Sequence, residues 1–203
     1  AQHLVETYGL GPVIPNTVLL GDSESVEYRG SYCQMIRQIH QCKRNLVIFR
    51  ENHDRNFGRR RRIDIWWGGS MQANGGLMLL LAYLLRNDIR WREANIYLKL
   101  VVNYKTAVAP ARDNLNQLLS ELRMSATPQV ILADGRSFER ILQQTSRNAD
   151  LIFLGMATPD ENFVSYYEQL QAKVTGLPST VFVLAAPNFS FSEVFNDSGT
   201  TKT

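Results

Sequence analysis

Leu151-Ile152-Phe153-Leu154-Gly155 and, one helical stretch later, Thr180-Val181-Phe182-Val183-Leu184-Ala185 decide the fold. Both runs are apolar at consecutive positions, and a strand of that kind is buried on both faces by crossover helices. The residues between them, 160–174, read as such a helix. Thr158 stands as its N-cap, Pro159 at the first helical position and Glu161 three residues after the cap. Gly176-Leu177-Pro178 closes it, since glycine suits the residue after a helix and proline cannot continue one. Strand, helix and strand in this order make a unit of a parallel sheet.

The same alternation extends outward in both directions. Further strands are expected at 17–21, 46–50, 63–67, 96–102 and 129–133. Helices are expected at 29–43, 75–85, 111–124 and 137–146, with Leu115, Leu118, Leu119 and Leu122 marking one apolar stripe and Phe138, Ile141, Leu142 and Thr145 another. Asn74 is placed as the cap of the 75–85 helix, Ser137 as a cap, and Asp134-Gly135 as a turn. The class is therefore α/β, a mostly parallel sheet with helices on both faces.

A polar, charged break at 55–62 sets the organisation. Residues 59–186 count as a complete five-stranded doubly wound unit. Residues 1–58 are too few to bury a core and read as the C-terminal part of a first α/β subdomain, or as an addition to the edge of the second. Residues 187–203 form an arm containing Phe189, Phe191 and Phe195, ending in a polar tail.

The chain has 203 residues, 44% apolar and 20% charged, which excludes disorder and a disulfide scaffold. Its net charge of +3 is local, because residues 41–62 carry most of the excess and the remainder is slightly acidic. A nucleic-acid binder spreads its cations over a face, so none is expected. The longest apolar run, 77–85, falls short of the roughly 20 residues a spanning helix needs. There is no secretory signal, and the start at Ala1 marks the segment as a candidate piece of a longer chain. Cys33 and Cys42 fall on opposite faces of one helix and cannot bridge, which fits a reducing compartment.

Loops after the strands carry little chemistry. Gly21-Asp22-Ser23, Asp134-Gly135-Arg136-Ser137 and Gly155-Met156-Ala157-Thr158-Pro159-Asp160 contain no glycine-rich phosphate loop, and Asp160 and Glu161 would repel phosphate at a helix start. His3, His40 and His53 have no metal-ligand spacing with either cysteine. No catalytic residue, cofactor site or metal site is assigned. Two other features stand out. Arg59, Arg60, Arg61 and Arg62 form a run suited to an anionic membrane surface or to a solvated linker. The helix around Leu77–Leu85 is apolar all round, so it is clamped inside the fold or meets a second copy.

At this point the residues resemble a family. Ile63-Asp64-Ile65-Trp66-Trp67, the run from Gly75 to Arg86, Trp91-Arg92 and the strand at 96–102 are similar to the cytosolic carboxy-terminal domain of cation-chloride cotransporters. Upstream, Tyr8-Gly9-Leu10-Gly11 and Pro15-Asn16-Thr17-Val18-Leu19-Leu20-Gly21 match the family's GLG and PNT segments in order. The interval from Leu20 to Ile63 lacks the long inserts of animal members, which fits a compact, prokaryotic relative. Gly68–Ala73 departs from the usual aspartate-containing turn, and kinase-regulated positions have no counterpart.

The resemblance implies a domain with units like the universal stress protein fold, lying at the cytoplasmic face of the membrane below a transporter that moves chloride with sodium or potassium. It implies a homodimer coupled to the transmembrane part of the same polypeptide, with no transport-ion site; regulation by a nucleotide stays open within this reading, since cytosolic domains of some members are associated with nucleotides. Trp66, Trp67, Leu77, Leu80, Leu81, Leu84 and Trp91 are the candidate packed interface. Two other readings stay open: a freestanding nucleotide binder of the universal stress type, and a small α/β hydrolase.

Overall fold

The computed structural model describes residues 15–23, 25–68 and 72–189. Tyr8–Gly11, His3, Gly69–Met71, Phe191 and Phe195 lie outside them. Seven strands form one sheet: β1 (Thr17–Gly21), β2 (Asn45–Arg50), β3 (Arg62–Trp67), β4 (Asn95–Val102), β5 (Thr127–Leu132), β6 (Leu151–Gly155) and β7 (Thr180–Leu184). Their spatial order is β1-β2-β7-β6-β3-β4-β5. Every pairing is parallel except β2 with β7, where Val47 faces Val183 and Phe49 faces Val181. The strands β3 to β7 thus form the doubly wound unit expected from the sequence, and β1–β2 extend it with reversed direction.

Among the described residues five helices cover the sheet: α1 (Arg29–Gln41), α2 (Gln72–Arg86), α3 (Val108–Glu121), α4 (Phe138–Ser146) and α5 (Phe163–Lys173). Side chains alternate across each strand, so the sheet separates two cores. On one side Ile36, Leu46, Ile48, Trp66, Ile152, Leu154, Phe163, Tyr167 and Phe182 pack beneath α1, α4 and α5. On the other, Ile63, Ile65, Leu98, Phe153 and Val183 pack beneath α2 and α3 with Leu77, Leu79 and Leu115. Burying such side chains contributes about 1.5–3 kcal/mol each, and this is the main stabilisation of the sheet.

Local chemistry accounts for the boundaries. Ser137 accepts a hydrogen bond from Arg140 N at 3.2 Å and caps α4, as its position implies. Asp134 and Gly135 both have positive φ and form the preceding turn. Pro128 sits in β5, an edge strand, where its missing N–H leaves no pairing broken.

Three details correct the sequence reading. The helix expected from residue 160 begins at Phe163, and Thr158-Pro159 lie in the loop before it. Asp160 is the cause: its Oδ1 accepts from Asn162 N at 2.9 Å and its carbonyl from Phe163 N at 3.2 Å, a local turn that competes with an earlier start. α3 starts at Val108, after a 3₁₀ turn at Lys105–Ala107, so Pro110 falls in its first turn, where no intrahelical N–H bond is lost. Asn74 is not a cap; it lies inside α2 with its side chain turned into the core.

Candidate functional site

In a doubly wound sheet the place to look is the crevice at the carboxyl ends of the parallel strands, where the crossover connections diverge. Here it lies between β3 and β6. A cavity of about 450 Å³ opens there and runs between α4 and α5, lined by Trp66, Trp67, Asn103, Arg136, Phe138 and Tyr166 among others.

Beside the cavity, the first turn of α2 is covered by the chain's own side chains. Trp67 lies against the first turn of α2: a Cβ at Gly75 would stand 2.3 Å from its ring, so only glycine fits. In nucleotide-binding relatives of this topology, bare helix amides face phosphate at this place. Asn74, one residue earlier, accepts from Ala185 N at 2.7 Å and donates to Met156 O at 2.7 Å. It thereby ties the loops after β6 and β7 together. Gly155 makes room for it, since a Cβ there would meet Asn74 at 3.2 Å.

Several polar groups around the cavity are committed within the fold. Ala157 N donates to the Tyr166 hydroxyl at 2.9 Å, and Ala186 N donates to Asn45 Oδ1 at 2.8 Å. Burial pushes the Tyr166 phenol above its ordinary range, so it stays a neutral acceptor. Arg136 donates to the carbonyls of Leu132 and Ala133 and to Gln144 Oε1. Among the described residues no group of three or more His, Cys, Asp or Glu is placed to hold a metal ion.

Behind the crevice the interior holds a charged cluster that the sequence reading missed. Asp64 and Lys99 lie side by side on β3 and β4, both fully buried, with Lys99 Nζ 2.6 Å from Asp64 Oδ2. Arg62 Nε donates to Asp64 Oδ1 at 2.9 Å, and Ser146 Oγ donates to Asp64 Oδ2 at 2.7 Å. Trp66 Nε1 donates to Ser146 Oγ at 3.1 Å, and Lys99 donates to Thr145 O at 2.7 Å. The cluster pins the end of α4 to the sheet. Its signal was present in the sequence: a lone acid and a lone base, each on the same face of an otherwise apolar strand.

The seven candidate interface residues do not form one surface. Trp66 is buried beneath α4 and α5, whereas Leu77 and Trp91 are buried in the opposite core. Trp67, Leu80 and Leu81 are half-buried, and Leu84 is 54% exposed beside the exposed Tyr83. The strand period explains the division, because neighbours such as Trp66 and Trp67 must point to opposite faces. Leu81, Leu84 and Leu85 border a second cavity of about 460 Å³, floored by Val47, Phe49 and Val181 and rimmed by Leu19.

The four arginines likewise diverge. Arg62 turns inward to Asp64, Arg61 pairs with Glu93, and Arg60 lies over the Phe57 ring at 5.8 Å. Arg59 is exposed. The loop is held by Asp150, whose Oδ1 accepts from Arg59 N and whose Oδ2 accepts from Arg61 N and Arg62 N at 2.7–2.9 Å. Topology adds to the cationic end what sequence order hid: Arg90 and Arg92 precede β4, Arg123 precedes β5 and Arg147 precedes β6, all exposed at the amino ends of the parallel strands.

The fold defines a doubly wound α/β domain, and its strand-end loops carry no glycine-rich phosphate motif. Residues 23–138, more than half of the chain, match solute carrier family 12, and the chain belongs to that family. Its fold is similar to the crystal structure of the cytoplasmic domain of a prokaryotic cation chloride cotransporter, with TM-score 0.70 and 18% identity over 95% of this chain and 71% of that one. It is also similar to a universal stress protein from Archaeoglobus fulgidus DSM 4304, with TM-score 0.53 and 10% identity over 85% of this chain and 62% of that one. Among the described residues no helix is long and apolar enough to cross a membrane.

Proposed function

We propose that this chain is a cytosolic regulatory and dimerisation domain of a membrane transporter that moves chloride together with sodium, potassium or both. It acts by contact and performs no chemistry. The observation that carries this reading is the start of α2 at the crevice: Trp67 on Gly75 and Asn74 on Gly155 cover the helix turn that would have to face a nucleotide's phosphate. In this reading residues 1–58 are the C-terminal part of a first α/β subdomain whose strands β1 and β2 join the sheet of the second, 59–186, and residues 187–203 are an arm. The exposed side of α2, with Leu80, Tyr83 and Leu84, meets a second copy, and differential contacts with that twin and with the transmembrane part bias the transporter's states.

Two experiments test this reading. In the full-length transporter, Leu80→Glu with Leu84→Glu should change chloride-dependent cation uptake while surface abundance stays constant; unchanged uptake contradicts it. Millimolar ATP should leave the melting temperature of the domain unmoved, because binding to the folded state would raise it. A clear rise would favour the nucleotide-binding reading suggested by the universal stress protein fold.

The arginine end faces the anionic membrane surface in this account, where each cation adds about 1 kcal/mol. Replacing Arg59 and Arg60 with Gln should weaken sedimentation with phosphatidylserine vesicles at low salt. Unchanged sedimentation returns the run to a solvated loop.

A further inference from the structure

We propose that Ile89, at the tip of the loop joining α2 to β4, is an apolar anchor that enters an anionic lipid surface, while Arg92, Arg123 and Arg147 on neighbouring loops meet the headgroups around it. This inference rests on the reading that the arginine end faces the membrane, and adds to it the residues that hold the domain there.

Ile89 is 76% exposed, more than any other large apolar side chain among the described residues. A single exposed isoleucine is ordinary on a protein surface. Ile89 differs in how it is held and in what surrounds it. Asp88 Oδ1 accepts from Arg90 N and from Arg90 Nε, both at 2.9 Å, and Asp88 O accepts from Trp91 N at 3.0 Å. The turn is tied in on either side: Asn87 N donates to Tyr83 O at 3.3 Å, and Trp91 is buried with Phe57 edge-on to it. The backbone thus fixes Ile89 at the apex, and its side chain takes no part in either core.

The loops around this apex are joined into one face. Arg61 pairs with Glu93, and Asn95 N donates to Arg61 O at 2.8 Å, which sets the 59–62 loop beside the 87–94 loop. Hydrogen bonds from Arg90 and, with them, the charge of Arg60 hold the Asp88 carboxyl below its ordinary value, so Arg60 also stands near the tip. Arg86 Nη1 donates to Ser125 O at 2.7 Å and brings in the loop of Arg123, and Arg55 Nη1 donates to Arg147 O at 2.6 Å. Across residues 51–61, 87–94, 122–126 and 147–150, eight arginines stand against five acids. Of those acids Asp88 and Glu93 are paired, and Asp150 is enclosed by three amides. Arg59, Arg92, Arg123 and Arg147 are exposed and have no carboxylate partner among the described residues.

An apolar tip within a field of unpaired cations suits the boundary of a bilayer, where the side chain leaves water among the acyl chains and the cations meet anionic headgroups. A nucleic acid would use the cations and leave the isoleucine in water. Neither aromatic ring beside the tip is open for base stacking, since Arg60 covers Phe57 and Trp91 is buried.

Sedimentation of the full chain with mixed phosphatidylcholine and phosphatidylserine vesicles tests this. Ile89→Asn should lower the partition coefficient about tenfold at unchanged melting temperature, the loss expected for one aliphatic side chain. Arg92→Gln with Arg123→Gln and Arg147→Gln should lower it at least about tenfold at low salt and far less at high salt. In Ile89→Trp, brominated acyl chains should quench the emission of the added tryptophan. Unchanged partition of Ile89→Asn, or no quenching of the added tryptophan, overturns the proposal. If Arg59→Gln with Arg60→Gln still weakens sedimentation, the membrane reading then stands without its anchor; if no variant changes it, both fall. Loss of a dimer in place of vesicle binding by Ile89→Asn would assign the side chain to a second copy and overturn the proposal, as would tighter binding to polyuridylate than to the vesicles.

Discussion

Lys99 Nζ lies 2.6 Å from Asp64 Oδ2, and solvent reaches neither side chain. Burial pushes the Lys99 ammonium below its ordinary value, and the Asp64 carboxylate opposes that fall. Each charge therefore depends on the other. Lys99→Met leaves a buried carboxylate short of one cation and should cost about 3–5 kcal/mol. Lys99→Met with Asp64→Leu should cost clearly less than the sum of the two single changes, because a buried pair is often replaceable by apolar residues. Urea unfolding of the three variants checks this, and simple additivity would contradict it.

Gly75→Ala should destabilise the domain by about 1–3 kcal/mol, because the new methyl must displace the Trp67 ring. The near-ultraviolet circular dichroism of the tryptophans should change with it. Adding Trp67→Leu should recover part of the loss. A Gly75→Ala protein as stable as the parent would mean that Trp67 does not cover that turn of α2.

Asp150 holds the arginine loop through the amides of Arg59, Arg61 and Arg62. Asp150→Ala should cost about 1–3 kcal/mol, the penalty for leaving such donors without their acceptor. Hydrogen exchange at those three amides should accelerate more than elsewhere. Uniform acceleration would point to a general loss of stability instead.

The His40 imidazole, half-buried near the end of α1, is held below its ordinary value of 6.5 by burial. Between that lowered value and 6.5 the unfolded chain binds more protons than the folded one. The stability from this group is complete above 6.5 and is lost as pH falls through the window. His40→Gln should flatten the decline in unfolding free energy below pH 6.5; an unaltered slope would sink the assignment.

Much of this was legible in the sequence, and the failures have physical causes. The consecutive apolar runs of β6 and β7 and the stripe of α4 announced themselves, because burial on two faces or one sets the period directly. The antiparallel placement of β2 beside β7 did not, since strand order leaves no mark on local pattern. Thr158-Pro159 imitates a helix start, yet the Asp160 side chain closes its own turn first. Asn74 looks like a cap by position and becomes a cross-brace because Gly155, far along the chain, leaves space for it. Trp66, Trp67 and Trp91 belong to one candidate interface by sequence, but the sheet puts Trp66 on one side and the other two on the opposite side. Lys99 was readable as an anomaly in an apolar strand, but its partner was not, since pairing across strands depends on register.

Sedimentation velocity of the domain over a range of concentrations tests the central claim most directly. The account predicts a concentration-dependent homodimer, converted by Leu80→Glu with Leu84→Glu to a folded monomer whose melting temperature no longer rises with concentration. A protein that stays monomeric at every concentration, or a dimer indifferent to those two changes, would contradict it.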